Sequence, residues 1–518
     1  MKKFSVALCL SGSAFFFSCQ KELQPLPTET ENSFTNTTAR KAANDIGDLV
    51  FYALAAGNRI DQFSVDKSES TISSLQVTGL MDGERLLAID FRPATGQLYG
   101  VGSTGRLYVI NLNSGVARAV SSTPFTQDLT EGIVGFDFNP TVDRIRLVTS
   151  TGRNLRLHPE TGALVMEDGA IKGATGAMVT SVAYTNNFAG ATATTLYDID
   201  VANDKLYKQD PPNNGVLVEV GSLGVNLEGE GGFDIAPTTD GSAGSTALAL
   251  YQQNKKSVLY SVNLMTGRAS KIEKFEKNEI YYGIAIPTNP VAYAVSMNSL
   301  LIFNPMMPSA VISKTITGLQ AGEMIYGIDF RPATGALYAL GSNSRIYTIN
   351  TANGAATFVA TLSESLQGTS FGFDFNPIPD RIRIISNTGQ NLRVNPDNGV
   401  TIVDGSINPA PASITAAGYT NSFAGTTATA LYVIDSEKDL LYIQNPPNNG
   451  TLTAEKSLGI DIGSSNGFDI GGRTNNAYGL FTVGGQTSLY SVNLMSGAVM
   501  SMGNFRSNVS GFAVGLGF

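Results

Sequence analysis

Six aspartates sit in one recurring context, a small residue, an apolar residue, Asp and an apolar residue: Asp90, Asp137, Asp234, Asp329, Asp374 and Asp469. Carboxylates repeated at this regularity could form a ring that binds a cation such as calcium, which takes only oxygen ligands. The structural alternative is that each accepts hydrogen bonds from a following turn or a neighbouring unit, because a buried carboxylate must find partners. Two arginine groups come next. Arg144 and Arg146 share one face of a strand, and Arg156 on the following strand can join them; Arg381, Arg383 and Arg393, with Asn391, form the second copy. Three cations this close need an anionic ligand or compensating acid. Asp137 with Asp143, and Asp374 with Asp380, are the expected acids, which makes the cluster an inter-unit network. Tyr184 and Tyr419 take the Asp position in one unit of each half. They could stack on a ligand at a channel mouth or serve as core tyrosines.

The single histidine, His158, opens a turn that other units open with Asn111, Asn263, Asn350, Asn395 or Asn493. It reads as a turn residue bonding its local backbone, not as a general base. Of the two cysteines, Cys9 lies in the leader and Cys19 at its end. Histidine-based triads, zinc sites and cysteine nucleophiles are therefore disfavoured, and no disulfide is expected. No catalytic residue is assigned.

The positions of these residues follow a duplication. Gly135–Pro140 and Gly372–Pro377 both read GFDFNP, each followed by Asp-Arg-Ile-Arg. Asp90–Gly96 returns as Asp329–Gly335, and Pro211–Gly215 as Pro446–Gly450. Inside each half the Asp-bearing pattern recurs every 40 to 50 residues or so, the period of propeller blades. Each unit reads as four short strands. In one, strands are expected at Gly327–Phe330, Ala336–Leu340, Arg345–Asn350 and Ala355–Ala360, with Pro/Gly turns between them. The fold class is all-β: tandem four-stranded blades of a β-propeller. The folded body opens with a lone strand at Leu49–Leu54, while spare strands lie at Tyr282–Ile286 and Phe512–Gly517. Two five-bladed rings use these to close residues 48–286 and 287–518 separately. The alternative is one ten-bladed ring, with Tyr282–Ile286 beside Val291–Val295.

The strings GIDFRPATG.LYALGS, GFDFNP..DRIR, GQNLR.NP..G and QNPPNNGTL resemble the bacterial domain-of-unknown-function family 4394, along nearly the whole of both halves. The resemblance implies a secreted β-propeller-like domain and no established reaction, so it brings no catalytic residues.

The N-terminus reads as a processing signal. Lys2 and Lys3 precede an apolar run to Phe17, too short for a membrane span of roughly 20 residues. Ser18-Cys19 resembles a relaxed lipobox, so residues 1–18 are expected to be removed and Cys19 lipidated. Residues 19–47 lack apolar periodicity and read as a disordered tether. The formal charge of −9 gives no basic footprint for nucleic acid or anionic lipid. Membrane attachment is then through the N-terminal lipid only, in the cell envelope, as an outer-membrane and surface-exposed lipoprotein. The functional expectation is a module that binds an unknown ligand or protein. The alternatives are a carboxylate-dependent hydrolase or lyase, with or without calcium, and a structural surface protein. Tryptophan, a favoured sugar-stacking platform, is absent.

Overall fold

The computed structural model describes residues 48–126, 129, 133–237 and 246–518. The leader, Cys19 and the tether lie outside the described residues. Among the described residues no helix is long and apolar enough to cross a membrane.

Among the described residues there are ten four-stranded antiparallel sheets, and in eight of them the four strands are consecutive in the chain. The unit read most closely from sequence has its strands at Ile325–Phe330, Leu337–Gly341, Arg345–Ile349 and Ala356–Thr361. The other two sheets are composite, and they decide the architecture. Tyr281–Ala285 pairs with Val50–Ala55, with Ala53 opposite Ile284. Gly511–Val514 pairs with Ala292–Ser296, with Ala294 opposite Phe512. Each half therefore takes its closing strand from its own C-terminal end. This overturns the ten-bladed alternative, in which 281–285 and 292–296 would share a sheet. In the first half the innermost strands Leu86–Phe91, Val134–Asn139, Val179–Tyr184, Glu228–Ile235 and Tyr281–Ala285 each neighbour the next, and the last neighbours the first. The second half repeats the circuit through Ile325–Phe330, Phe371–Asn376, Ile414–Tyr419, Gly467–Ile470 and Gly511–Val514.

The small residue in the Asp motif has a steric cause. Innermost strands crowd toward a common axis, and a Cβ on Gly135 would stand 2.7 Å from the backbone nitrogen of Val182 on the next blade. At Gly232 the clash would be with Ile284 N at 2.4 Å. Only glycine lets these backbones approach so closely. The apolar residue after the Asp packs between blades. Phe138 lies edge-on to Tyr99 of the preceding blade at 5.1 Å between ring centroids, and Phe375 meets Tyr338 in the same way at 5.2 Å. Burying such a ring contributes about 1.5–3 kcal/mol, which makes each blade boundary a stretch of hydrophobic core.

The rings are tied to each other. Gly517 N–H donates to Thr95 O at 2.8 Å, and Tyr293 OH to Ala94 O at 2.9 Å. Arg92 Nη1 donates to Gly335 O at 3.0 Å.

Candidate functional site

Each strand aspartate is buried and reaches across a blade boundary. Asp90 accepts the N–H of Phe138 at 2.9 Å, Asp137 that of Tyr184 at 3.2 Å, and Asp234 that of Ile286 at 2.6 Å. In the second ring Asp329 accepts from Phe375 at 2.7 Å, Asp374 from Tyr419 at 3.1 Å, and Asp469 from Val514 at 2.6 Å. Four of the six also accept the N–H of the residue that follows them: Asp90, Asp234, Asp329 and Asp469. The motif thus places a carboxylate where it holds the next blade in register.

These latches also converge. Carboxylate oxygens of Asp90, Asp137 and Asp234 all lie within 4.8 Å of one another, as do those of Asp329, Asp374 and Asp469. The two triads are the densest groups of potential metal ligands among the described residues. Removal from water favours the neutral acid, and like charges reinforce the effect. Burial raises Asp137 well above the usual carboxylate range, and Asp90 and Asp234 push it further. Burial likewise lifts Asp90, aided by Asp234. Asp234 is pushed up to about 7 by burial, partly offset by the N–H groups of Ile286 and Ile235. The second triad repeats the pattern, with Asp469 at about 7 and Asp329 and Asp374 well above the usual range, burial leading in each. Each triad therefore needs neutralising, by protons or by a cation held among its oxygens.

Tyr184 and Tyr419 are core residues, 1% exposed, so neither can stack on a ligand at a channel mouth. Their hydroxyls face Arg146 and Arg383 at 3.4 and 3.5 Å.

The arginine groups form a closed network with a different acid from the one expected. Arg146 donates to Asn154, Asp168 and Asn213, each at 2.7 Å. Arg156 grips both oxygens of Asp168 at 2.7 and 2.9 Å. Arg383 and Arg393 do the same with Asn391, Asp404 and Asn448. Asn213 and Asn448 belong to the repeated Pro-Pro-Asn-Asn-Gly turn, which explains why that turn travels with the Arg motif. Arg144 and Arg381 stay outside the network and cap the carbonyls of Asp143 and Asp380 at 2.8 and 2.9 Å. The expected partners are engaged elsewhere: Asp137 and Asp374 latch backbone, and Asp143 and Asp380 pair with arginines of the preceding blade. Those two arginines, Arg92 and Arg331, were missed in sequence. Arg92 is fully buried, contacts both oxygens of Asp143, and also holds Glu160 at 2.8 Å. Arg331 holds Asp380 and Asp397 at 3.0 and 2.6 Å. The available signal was that both arginines recur two residues after a motif Asp.

His158 occupies the Asn place in its turn. Its Nδ1 accepts the N–H of Glu160 at 3.3 Å, as Asn111 Oδ1 accepts that of Asn113 at 2.8 Å. Burial lowers the His158 pKa to about 4, and Arg144 and Arg92 add to the effect, so the ring is neutral at neutral pH.

A family model described as a domain of unknown function, DUF4394, matches residues 59–285 and again 299–513. The chain belongs to the DUF4394 family. The two matches correspond to the two sets of Asp latches and Arg networks, so each DUF4394 copy carries one triad and one network. No curated protein matches the sequence. Among solved structures, the chain is similar to one described as the structure of the Dos1 propeller, at 11% identity over 66% of this chain and 90% of that one, with a TM-score of 0.26. It is also similar to a chain in a nidogen/laminin complex, at 14% identity over 44% of this chain and 99% of that one, with a TM-score of 0.31.

Proposed function

We propose that this tandem DUF4394 protein is a non-catalytic binding module of the cell envelope, anchored by a lipid on Cys19 and spaced from the membrane by residues 19–47. One observation carries the reading: every triad carboxylate is buried and accepts a backbone N–H from the next blade, in both copies. An Asp/Glu hydrolase needs an acid and a base reaching one substrate, with carboxyls about 5–9.5 Å apart. These carboxylates are closer together, enclosed, and occupied with register. The Arg networks are likewise satisfied within the protein. What remains for outside partners is the loop surface of the two rings, since binding residues sit disproportionately on loops carried by a scaffold.

The convergence of the triad oxygens favours a second reading, in which calcium neutralises each cluster. Three carboxylate oxygens within 4.8 Å of one another can share one cation that takes only oxygen ligands.

The test is a panel of sugars, peptides and divalent ions against the mature protein. Melting temperature and turnover of chromogenic glycosides are read in parallel. A ligand that raises the melting temperature without turnover supports the module. Turnover that survives purification and is lost in Asp137→Asn and Asp374→Asn would sink it. Stabilisation by calcium that EGTA reverses supports the calcium reading.

A further inference from the structure

A cavity of about 70 Å³ lies in the seam between the two rings. One water needs roughly 10–15 Å³ on the same measure, so the space exceeds a single solvent molecule several-fold. Its walls are mainly apolar, with Val109 and Val116 from the first ring and Phe423 and Leu516 from the second. Two arginines also line it, Arg118 and Arg473.

Neither arginine has a carboxylate partner among the described residues. Arg118 Nη2 donates to the carbonyl of Ala333 across the seam, but its Nε is buried with no acceptor. Burial holds Arg118 below its ordinary pKa, against the opposing pull of Tyr99 and Asp380. Asp380 is already taken by Arg331 at 3.0 Å. Arg473 donates through Nε to Asn113 at 3.3 Å, and its two Nη groups have no partner among the described residues. Arg118 is half-buried and Arg473 exposed, so an apolar groove carries two positive charges with no acid paired to either among the described residues. Guanidinium suits the flat, two-oxygen geometry of a carboxylate. Arg118 is also absent from the shared scaffold. It stands opposite Val109 in its sheet, and the same register place in the second copy, opposite Thr348, is Thr357. The second copy carries no charge at this place.

We infer that the seam cavity binds a small carboxylate with an apolar body. The carboxylate is taken by Arg118 and Arg473, and the hydrocarbon lies against Val109, Val116 and Phe423. The assignment rests on the reading of the chain as a binding module and names a site and ligand class for it.

Calorimetric titration of the full mature chain with hexanoate and with hexan-1-ol tests it. Hexanoate binds, and the alcohol binds about tenfold more weakly or not at all, because it lacks the charge. Arg473→Gln and Arg118→Gln each weaken hexanoate by about tenfold or more. Arg473 sits on an exposed turn, so its variant remains informative if Arg118→Gln loosens the seam. The inference is overturned if hexanoate gives no heat at millimolar concentration, if acid and alcohol bind alike, or if Arg473→Gln leaves the dissociation constant unchanged. Those results leave the binding-module reading standing on its own ligand panel. Turnover in that panel would remove the module reading without touching the hexanoate measurement.

Discussion

Asp234 Oδ2 accepts the backbone N–H of Ile286 at 2.6 Å, where the last blade of the first ring meets the strand that closes it. Asp469 and Val514 repeat the relationship at the closure of the second ring, also at 2.6 Å. Each of these carboxylates serves a second N–H as well, from Ile235 and Ile470. Asp234→Ala leaves two buried donors unpaired, at about 1–3 kcal/mol each. A loss of about 2–6 kcal/mol is expected in urea unfolding of the first ring, and Asp469→Ala should cost the second ring as much. A change under about 0.5 kcal/mol, the level of an ordinary surface substitution, would show that the latch contributes nothing.

Asp198 should be a liability. It is fully buried, neither carboxylate oxygen has a partner, and burial lifts its pKa well above the usual range, with Arg146 pulling weakly the other way. The matching place in the second copy, in Leu431–Asp435, is Val433. Asp198→Val removes an unsatisfied buried group, worth about 1–3 kcal/mol, so the melting temperature at pH 7 should rise. A fall would mean that Asp198 has a partner in solution.

The triads set the direction of the pH dependence. Asp234 and Asp469 titrate at about 7 when folded, against about 3.9 in an unfolded chain. Between these values the folded state holds more protons, so stability is present in full near pH 4 and falls as pH rises toward 7. Each extra proton contributes a slope of about 1.4 kcal/mol per pH unit. On the acid side, carboxylates with depressed values lose their contribution as pH falls. Asp61 is one, where hydrogen bonds from Arg59, Ser74 and Tyr281 outweigh burial. Denaturation midpoints from pH 4 to 8 should peak on the acid side of neutrality. The double variant Asp234→Asn with Asp469→Asn should flatten the descent. Calcium at pH 8 should restore the lost stability only if it occupies the triads. A midpoint that climbs steadily from pH 5 to 8 contradicts this account.

Among the described residues Asp404 is the sole carboxylate of two arginines, Arg383 and Arg393. Asp404→Asn strands Arg383, which is 1% exposed, as an uncompensated buried cation. Breaking a buried pair on one side costs about 3–5 kcal/mol. Asp168→Asn should match it in the first ring, since Arg146 stands in the same place. Equilibrium unfolding of both variants checks this. A loss below about 1 kcal/mol would reopen the Arg cluster as a site for an external anion.

The blades were legible in sequence because the signal is local. Alternation of period two, Pro/Gly turns and literal repetition place the strands of 325–361 to within about two residues, the usual uncertainty of an element boundary. Closure was not legible from pattern, because Tyr281–Ala285 reads equally well as a partner for Val50–Ala55 or for Ala292–Ser296. Which pairing wins depends on the radial packing of whole blades and on latches such as Asp234 to Ile286. The carboxylates could be recognised as shared machinery, but their convergence into triads needs the ring geometry. The Arg networks show the same limit. Arg146 and Arg156 could be paired as cations on neighbouring strands, yet Asp168 lies just past the fourth strand, and only the folded sheet brings it to both. Asp143 looked like the natural partner because it is close in sequence. Its positive φ of 51° places it in a tight turn that offers its carboxylate to Arg92 instead.

The most direct test of two separately closed rings is a pair of engineered cross-links in an otherwise cysteine-free mature body. Ala53→Cys with Ile284→Cys, and Ala294→Cys with Phe512→Cys, join residues that sit opposite each other in the two composite sheets. Antiparallel partners have Cα atoms about 4.5–5.5 Å apart, inside the range a disulfide spans. After mild oxidation, peptide mapping should find 53 joined to 284 and 294 joined to 512 within single chains. Failure of both pairs to form, with 284 joined instead to a cysteine placed at 294, would contradict the two-ring account and support one continuous ring.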